Sequence, residues 1–405
     1  MYRLLKGISW IFLGNIIASL IKWLILVLIA RILTPYEVGA YSLAFALTAP
    51  IALFTNLKLR SLYITEKDAY FSDYLFARNI TSIIALLVVV ILGLTLYPEY
   101  LLLLILVGLN KFYDLHSELF YSHPHIYSKF GDIGKLMILK HIILIIFFAF
   151  SLYLSRSLIF SLAVQAVVQI LVFYFIEKKI IEIKYRVTYT KVNYSNVNKI
   201  IKLGLPLGLS LMIVSLYNNF PRYILEYSHS QELLGYFSAI AYIVTAGNLL
   251  MRSVSQNFLP ILTRLLQKGN VRKFKVYVYG YLPIFSTILG IILIFGSSVF
   301  GRSLLTFVYG SEYSEYIEVL ILISIAVTIN FISWNFDTAL MAMRYISIQP
   351  KISVVVLIVS IVLSIYLVNK YSIYGAAMTI IVTNLVQLIL RVVFVFYGLK
   401  KYKYK

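Results

Sequence analysis

Twelve separate runs of roughly 20 apolar residues govern what this chain can become, because a helix needs about that many to cross the hydrocarbon core of a bilayer. They lie near residues 8–33, 36–57, 77–97, 99–121, 133–154, 157–176, 199–226, 233–262, 276–299, 317–341, 351–369 and 373–399. The breaks at Thr34 and Pro35, at Tyr97 to Glu99 and at Ser155 to Ser157 are very short, so the spans they join must run antiparallel. Hydrophobic residues make up 61% of the 405 and charged residues 13%, against about half and a quarter in a soluble protein. A soluble enzyme, a disordered chain and a nucleic-acid binder are excluded. The net charge of +20 instead fits loops on the cytoplasmic side of a membrane. With no cysteine in the chain, disulfides, thiolate chemistry and cysteine-ligated metals are excluded too. The apolar run after Arg3 and Lys6 is too long for a signal-peptide core, and no small-residue cleavage site ends it, so a retained first span is expected.

Orientation follows from the basic residues. With the N-terminus in the cytoplasm, about 28 Lys and Arg fall on cytoplasmic segments and about 4 (Arg31, Arg156, Arg302 and Lys370) on external ones. The expectation is a multi-pass protein of the cytoplasmic membrane with both termini inside. The basic tail from Lys400 to Lys405 suits an inner face beside anionic lipid. The polar stretch near 177–198 divides the chain into an N-terminal lobe (1–180), a cytoplasmic linker (181–198) and a C-terminal lobe (199–405).

The halves echo each other. Gly39, Tyr41 and Ser42 at the start of span two match Gly235, Phe237 and Ser238 at the start of span eight with one gapless offset. A parallel repeat of this kind is a transporter feature, with binding sites between repeats.

Further motifs carry a family resemblance. In order, they are Gly14 and Asn15, then Ala30 to Pro35, then Gly39 to Tyr41. Leu203 to Gly208 opens span seven, Leu304 to Tyr313 precedes span ten, and Tyr374 to Ala377 precedes span twelve. Together they resemble the polysaccharide-transporter branch of the MOP flippase superfamily, nearest to O-antigen and capsule repeat-unit flippases. One departure is Pro221 before Arg222, where many relatives carry an acid. The resemblance implies an all-α polytopic fold of twelve transmembrane helices in two pseudo-symmetric six-helix lobes around a central cavity. It implies no enzyme activity and no bound cofactor, with an ion gradient (H+ or Na+) as driver. It also implies an undecaprenyl-pyrophosphate-linked glycan as substrate, moved by alternating access. Membrane lipids, a polysaccharide polymerase and a chain-length regulator are the partners it suggests.

Polar residues within spans carry the site expectations, since a mid-bilayer charge costs roughly 2.5–3.5 kcal/mol on insertion scales and normally faces a cavity or a partner. Asn15, Ser19 and Lys22 share one face of span one. Asn248, Arg252 and Gln256 form a stripe on span eight. Lys22 and Arg252 are expected to face a shared cavity and grip an anionic group such as a diphosphate. Asn218 falls opposite Lys22 under the repeat offset. Arg222 is a further cavity candidate, or pairs locally with Glu226. Asp337, placed as the one acid within a span, is the candidate ion carrier. Arg391 is expected to snorkel to the inner interface. Gln165, Gln169, Asn384 and Gln387 are read as helix-bridging amides. His116, Glu118, His123 and His125 sit near one another at spacings that fit no standard metal site. A polymerase is the rival reading, but no large external loop is present. A multidrug exporter is the third, and its usual cationic substrates would be repelled by cavity cations.

Overall fold

The computed structural model describes residues 2–66 and 69–402, with side chains described for 10–66, 69–244, 251, 255 and 257–400. Among the described residues every regular element is a helix, as a chain in lipid requires: every backbone N–H and C=O must find its partner within the protein. The long helices are α1 (Tyr2–Ile32), α2 (Pro35–Asn56), α3 (Phe71–Leu96), α4 (Leu101–Phe120), α5 (Phe130–Ser155), α6 (Leu158–Val172), α7 (Tyr194–Ser228), α8 (Gln231–Gln267), α9 (Leu282–Val308), α10 (Ile317–Ala342), α11 (Ile348–Leu363) and α12 (Asn369–Tyr402). Among the described residues, nine stretches are long and apolar enough to cross a membrane. One of them, Ile348–Lys400, holds both α11 and α12. The count reaches twelve with α4, whose 20 residues include Lys111, Asp114 and Glu118, and with α8.

Helix ends are set by local chemistry. Pro35 opens α2, Thr34 and Glu37 cap each other's backbone, and the Thr34 N–H donates to Glu37 Oε2 at 3.1 Å. At the other end of α2 the chain turns through Leu57 and Lys58, both with positive φ. Arg78 of α3, 1% exposed, closes that end by donating to the carbonyls of Thr55 at 2.7 Å and Asn56 at 2.8 Å. A guanidinium there meets the negative end of the helix dipole. Ser157 and Ser230 cap α6 and α8 by accepting from Phe160 and Leu233 N–H.

The chain divides into two compact units, Met1–Ser215 and Leu216–Lys405. The division falls within α7 because the polar stretch ahead of it is packed onto the first unit. Ser72 Oγ accepts from Thr190 N–H at 2.8 Å. Asp73, 2% exposed, accepts from Asn193 N–H at 2.8 Å and from Asn196 Nδ2 at 3.1 Å. Beneath these contacts lies an apolar cluster that includes Leu57, Phe71, Leu119, Phe120, Phe173 and Ile181. The matched positions of the repeat behave alike within their own units. Gly39 and Gly235 are buried, and so are Ser42 and Ser238, whose hydroxyls have no hydrogen-bond partner.

In the first unit α1 lies against α5 at glycine contacts. A Cβ on Gly14 would come within 3.1 Å of Gly134 Cα, and one on Gly134 within 2.2 Å of Trp10 O. Small residues of this kind let helix backbones approach where no hydrophobic driving force exists. Gly134→Val should therefore separate α1 from α5 at a cost on the order of 3 kcal/mol, read as a lower unfolding temperature in detergent. Gly280→Ala, with nothing within 4 Å of its added Cβ, should leave it unchanged or raise it. Equal stability of wild type and Gly134→Val would refute the packing.

Candidate functional site

Polar side chains concentrate on α4. Lys111, Asp114 and Glu118 follow a three- and four-residue spacing that puts them on one face. Asp114 is the hub. Its Oδ2 lies 3.3 Å from Lys22 Nζ of α1, its Oδ1 lies 2.8 Å from Lys140 Nζ of α5, and Gln169 Nε2 of α6 donates to Oδ1 at 2.9 Å. Lys140 also donates to Ser117 Oγ at 3.1 Å and lies 3.9 Å from Glu177 Oε2. Glu177 stands on a π-helical turn, Phe173–Lys178, that continues α6, and it is fully buried. It accepts from Ser117 Oγ at 2.5 Å and from Tyr121 OH. A carboxylate so buried is tolerated only with that many donors around it. Lys111 donates to Phe45 O at 2.7 Å, with its Nζ 3.5 Å from the Phe45 ring centre.

Two cavities meet at the hub, both lined by Lys22 and Asp114. One of about 60 Å³ also reaches Lys111, Asn110, Gln165 and Gln169. The other, of about 320 Å³, reaches Asn15, Ser19, Arg60, Glu118, Lys140 and His141. The two lysines differ in a way that decides their roles. The Lys140 side chain is 3% exposed and the Lys22 side chain 44%. Lys140 is an internal counter-ion of the two acids. Lys22 touches Asp114 from the open side, at the longer distance, and turns the rest of its ammonium to the cavity.

The second unit holds its own buried pair. Arg391 Nη2 of α12 lies 3.0 Å from Asp337 Oδ1 of α10, and Gln349 Nε2 donates to the same oxygen at 2.5 Å. Arg391 also donates to Ser333 Oγ at 2.8 Å. Amides and hydroxyls tie the helices: Asn335 Nδ2 to Ser286 Oγ at 2.6 Å, Gln387 Nε2 to Tyr217 OH at 3.0 Å, and Asn384 Nδ2 to Ala326 O at 2.9 Å.

Of the residues expected at the site, Asn15, Ser19 and Lys22 line one cavity. The side chains of Asn248 and Arg252 lie outside the described residues. Asn218 is exposed, within the second unit. Arg222 donates to Asn219 Oδ1 at 2.6 Å and lies 5.9 Å from the Phe237 ring, and its expected pair with Glu226 does not form among the described residues. Two expectations need correction. Asp337 is not the one acid inside a span, because α4 carries Asp114 within the apolar run. An acid therefore does lie at the depth of Lys22. Arg391 does not snorkel but is 7% exposed and paired with Asp337. Sequence reading missed Asp114, Lys140 and Glu177; the one-face spacing of Lys111, Asp114 and Glu118 in an apolar run was the signal for the first. The histidines make separate local contacts: His116 with Phe112 O and Asn79, His125 with Arg60, and His123 edge-on to Phe71.

A family model described as "Polysaccharide biosynthesis protein" matches residues 4–266. The capsular polysaccharide biosynthesis protein CapF of Staphylococcus aureus is 31% identical over 403 residues, covering 95% of this chain and 98% of that protein. Among solved structures, the lipid II flippase MurJ in an inward closed conformation is similar with a TM-score of 0.73 at 17% identity, covering 97% of this chain and 89% of that one. The MATE transporter VcmN of Vibrio cholerae in the bent form is similar with a TM-score of 0.61 at 15% identity, covering 99% and 97%. Both likenesses concern the fold, and both neighbours are transporters.

The two lysines should separate experimentally. Lys140→Ala leaves the buried Glu177 without a cation and Asp114 with only its longer contact to Lys22, and should cost about 3–5 kcal/mol, measured by thermal unfolding of detergent-purified protein. Lys22→Ala should cost about 1 kcal/mol or less. The reverse order would refute these roles.

Proposed function

We propose, from the premise that the chain belongs to the polysaccharide biosynthesis protein family, that it is a flippase carrying lipid-linked oligosaccharide repeat units, on undecaprenyl pyrophosphate, across the cytoplasmic membrane for surface polysaccharide assembly. The observation that carries this reading is the cavity in the first unit where Lys22 reaches an open space while bound on one side to Asp114. An ammonium held only by a half-open carboxylate can exchange that partner for a substrate anion at little net electrostatic cost. Asp114 does not become an orphan in the exchange, because Lys140 and Gln169 still hold it. Release is the reverse step: as the anion leaves, Asp114 recaptures Lys22. A cation that always has a partner suits a carrier, whose site must bind and let go. Arg252 of the second unit, Asn15 beside Lys22, and Asn218, Asn248 and Arg222 remain in the proposal as further substrate contacts.

The proposal includes alternating access driven by an H+ or Na+ gradient, with Asp337 as the candidate carrier; Arg391 would then give way as the ion binds. It includes both termini in the cytoplasm, and a polysaccharide polymerase and chain-length regulator as downstream partners. The likeness to the lipid II flippase MurJ supports transport of a lipid-linked substrate over polymer synthesis. A multidrug exporter is disfavoured by the lysines facing the cavity, which repel the cations such exporters carry.

Surface glycan in a strain lacking its own flippase is the deciding measurement. Lys22→Ala should lower display at least tenfold at native expression, and Lys22→Arg should retain part of it. Full display by the Lys22→Ala, Arg252→Ala double variant would overturn the reading. Reporter fusions after residue 190 and after residue 312 should be active on the cytoplasmic and external sides respectively; cytoplasmic activity at the second would overturn the orientation.

A further inference from the structure

Apart from the charged cavities, the first unit has a pocket of about 220 Å³ at the end that holds the short helix Ser122–Ile126 and the extended segment after Tyr185. Its floor is His123 and Phe71, 8% and 4% exposed, with ring centres 4.4 Å apart and edge-to-face. Tyr63 closes one side, 5.7 Å from the His123 ring. Tyr127 and Tyr185 stack on each other at 5.5 Å to form another side, and Arg186 stands at the rim.

One atom of a side chain that lines this pocket is unexplained. His123 Nε2 is buried without a hydrogen-bond partner. Burial among aromatic rings holds the imidazole neutral, its pKa lowered to about 4, so the ring offers one donor and one acceptor. Leaving a buried polar atom unsatisfied costs about 1–3 kcal/mol, and a ligand toward which the imidazole turns its Nε2 recovers it. The lining also limits the ligand's chemistry. It contains aromatic faces, tyrosine hydroxyls, an arginine and threonines, and no acid among the described residues. Flat apolar walls with hydrogen-bonding edges suit a ring that carries C–H groups on its faces and hydroxyls around its rim. The volume lies below the roughly 300–1,000 Å³ of sites for drug-sized ligands, so one ring fits and a chain of rings does not.

We propose that this pocket binds a single pyranose ring, with His123 Nε2 bonding one of its hydroxyls and the aromatic walls covering its faces. The choice of a sugar over other small polar rings rests on the flippase reading. In the proposed orientation the pocket opens to the cytoplasm, where a glycan awaiting transport presents its sugars. A nucleotide-activated sugar donor would present the same ring.

Saturation-transfer NMR on the full chain in lipid nanodiscs tests this. The probes are glucose, galactose, N-acetylglucosamine and N-acetylgalactosamine, their methyl glycosides, their UDP conjugates, and UDP alone. At least one sugar should bind, and His123→Phe, which keeps the packing and removes the polar atoms, should weaken it at least tenfold without lowering the unfolding temperature. Arg186→Ala, at the exposed rim, is a second variant that cannot unfold the core and should weaken binding at least threefold. Equal binding of sugar and methyl glycoside supports the glycan as source, and at least tenfold tighter binding of a UDP conjugate supports the donor. No binding by any sugar, unchanged binding in both variants, or binding of UDP alone through His123 would overturn the proposal. Lys22→Ala should leave sugar binding here intact while lowering display at least tenfold, so failure of this pocket and failure of the transport reading are distinguishable.

Discussion

A carboxylate among apolar helices persists only while donors surround it, and much of the first unit is arranged to keep Asp114 and Glu177 in that condition. Lys140 alone bridges them, at 2.8 Å and 3.9 Å. Removing a bridge of this sort is far costlier than never having built it, since the partner left behind is a buried unpaired charge. The arrangement therefore draws in four helices. α4 carries Asp114 and Ser117, α5 carries Lys140, α6 and its π-helical continuation carry Gln169 and Glu177, and α1 contributes Lys22. The site does not rest on a flexible loop; it is held by the helices that also form the unit's interior.

The second unit answers the same problem with the parts exchanged. Its acid, Asp337, stands on its fourth long helix, as Asp114 does in the first unit. In both units the partners come from the fifth and sixth helices of the set or their approach. Lys140 and Gln169 serve Asp114, while Gln349 and Arg391 serve Asp337. The cation has moved from the fifth helix to the sixth and the amide the other way. The first unit differs by adding Lys22 from its first helix, at the longer distance and on the open side. The same buried motif is thus closed in one unit and, in the other, carries an extra cation free to exchange partners.

Span number, the helical class and the burial of the repeat glycines were legible from periodicity and hydropathy, because lipid leaves the backbone almost no alternative to helices. The pairing of charges was not. Lys22 was legible as costly and therefore purposeful, yet its partner Asp114 sits near the end of an apolar run, where a charge is ordinary. Arg391 read as an interfacial cation because it lies near a chain end, whereas Asp337 and Ser333 draw it inward. Which of two cations a carboxylate meets depends on helix rotation and on distance across the bundle, and sequence spacing reports only neighbours on one helix. Arg78 shows the limit most plainly: as an end-cap for α2 it acts on carbonyls 22 and 23 residues away.

Helix packing and site chemistry are joined through Gly14 and Gly134. Their contact fixes α1 against α5, and Lys22 lies eight residues beyond Gly14 while Lys140 lies six beyond Gly134. At 1.5 Å per residue both lysines reach about 9–12 Å from the glycine contact, which is why both arrive at Asp114 from adjoining helices. Only one of the two lysines depends on that contact for its partner. Lys140 would keep Asp114 and Glu177 if α1 were pushed outward, since Ser117 and Gln169 remain on their own helices. Lys22 would lose Asp114. Close packing of α1 thus has a functional consequence separate from stability: it sets how tightly the exchangeable cation is held, and so how strongly an incoming anion must bind to capture it.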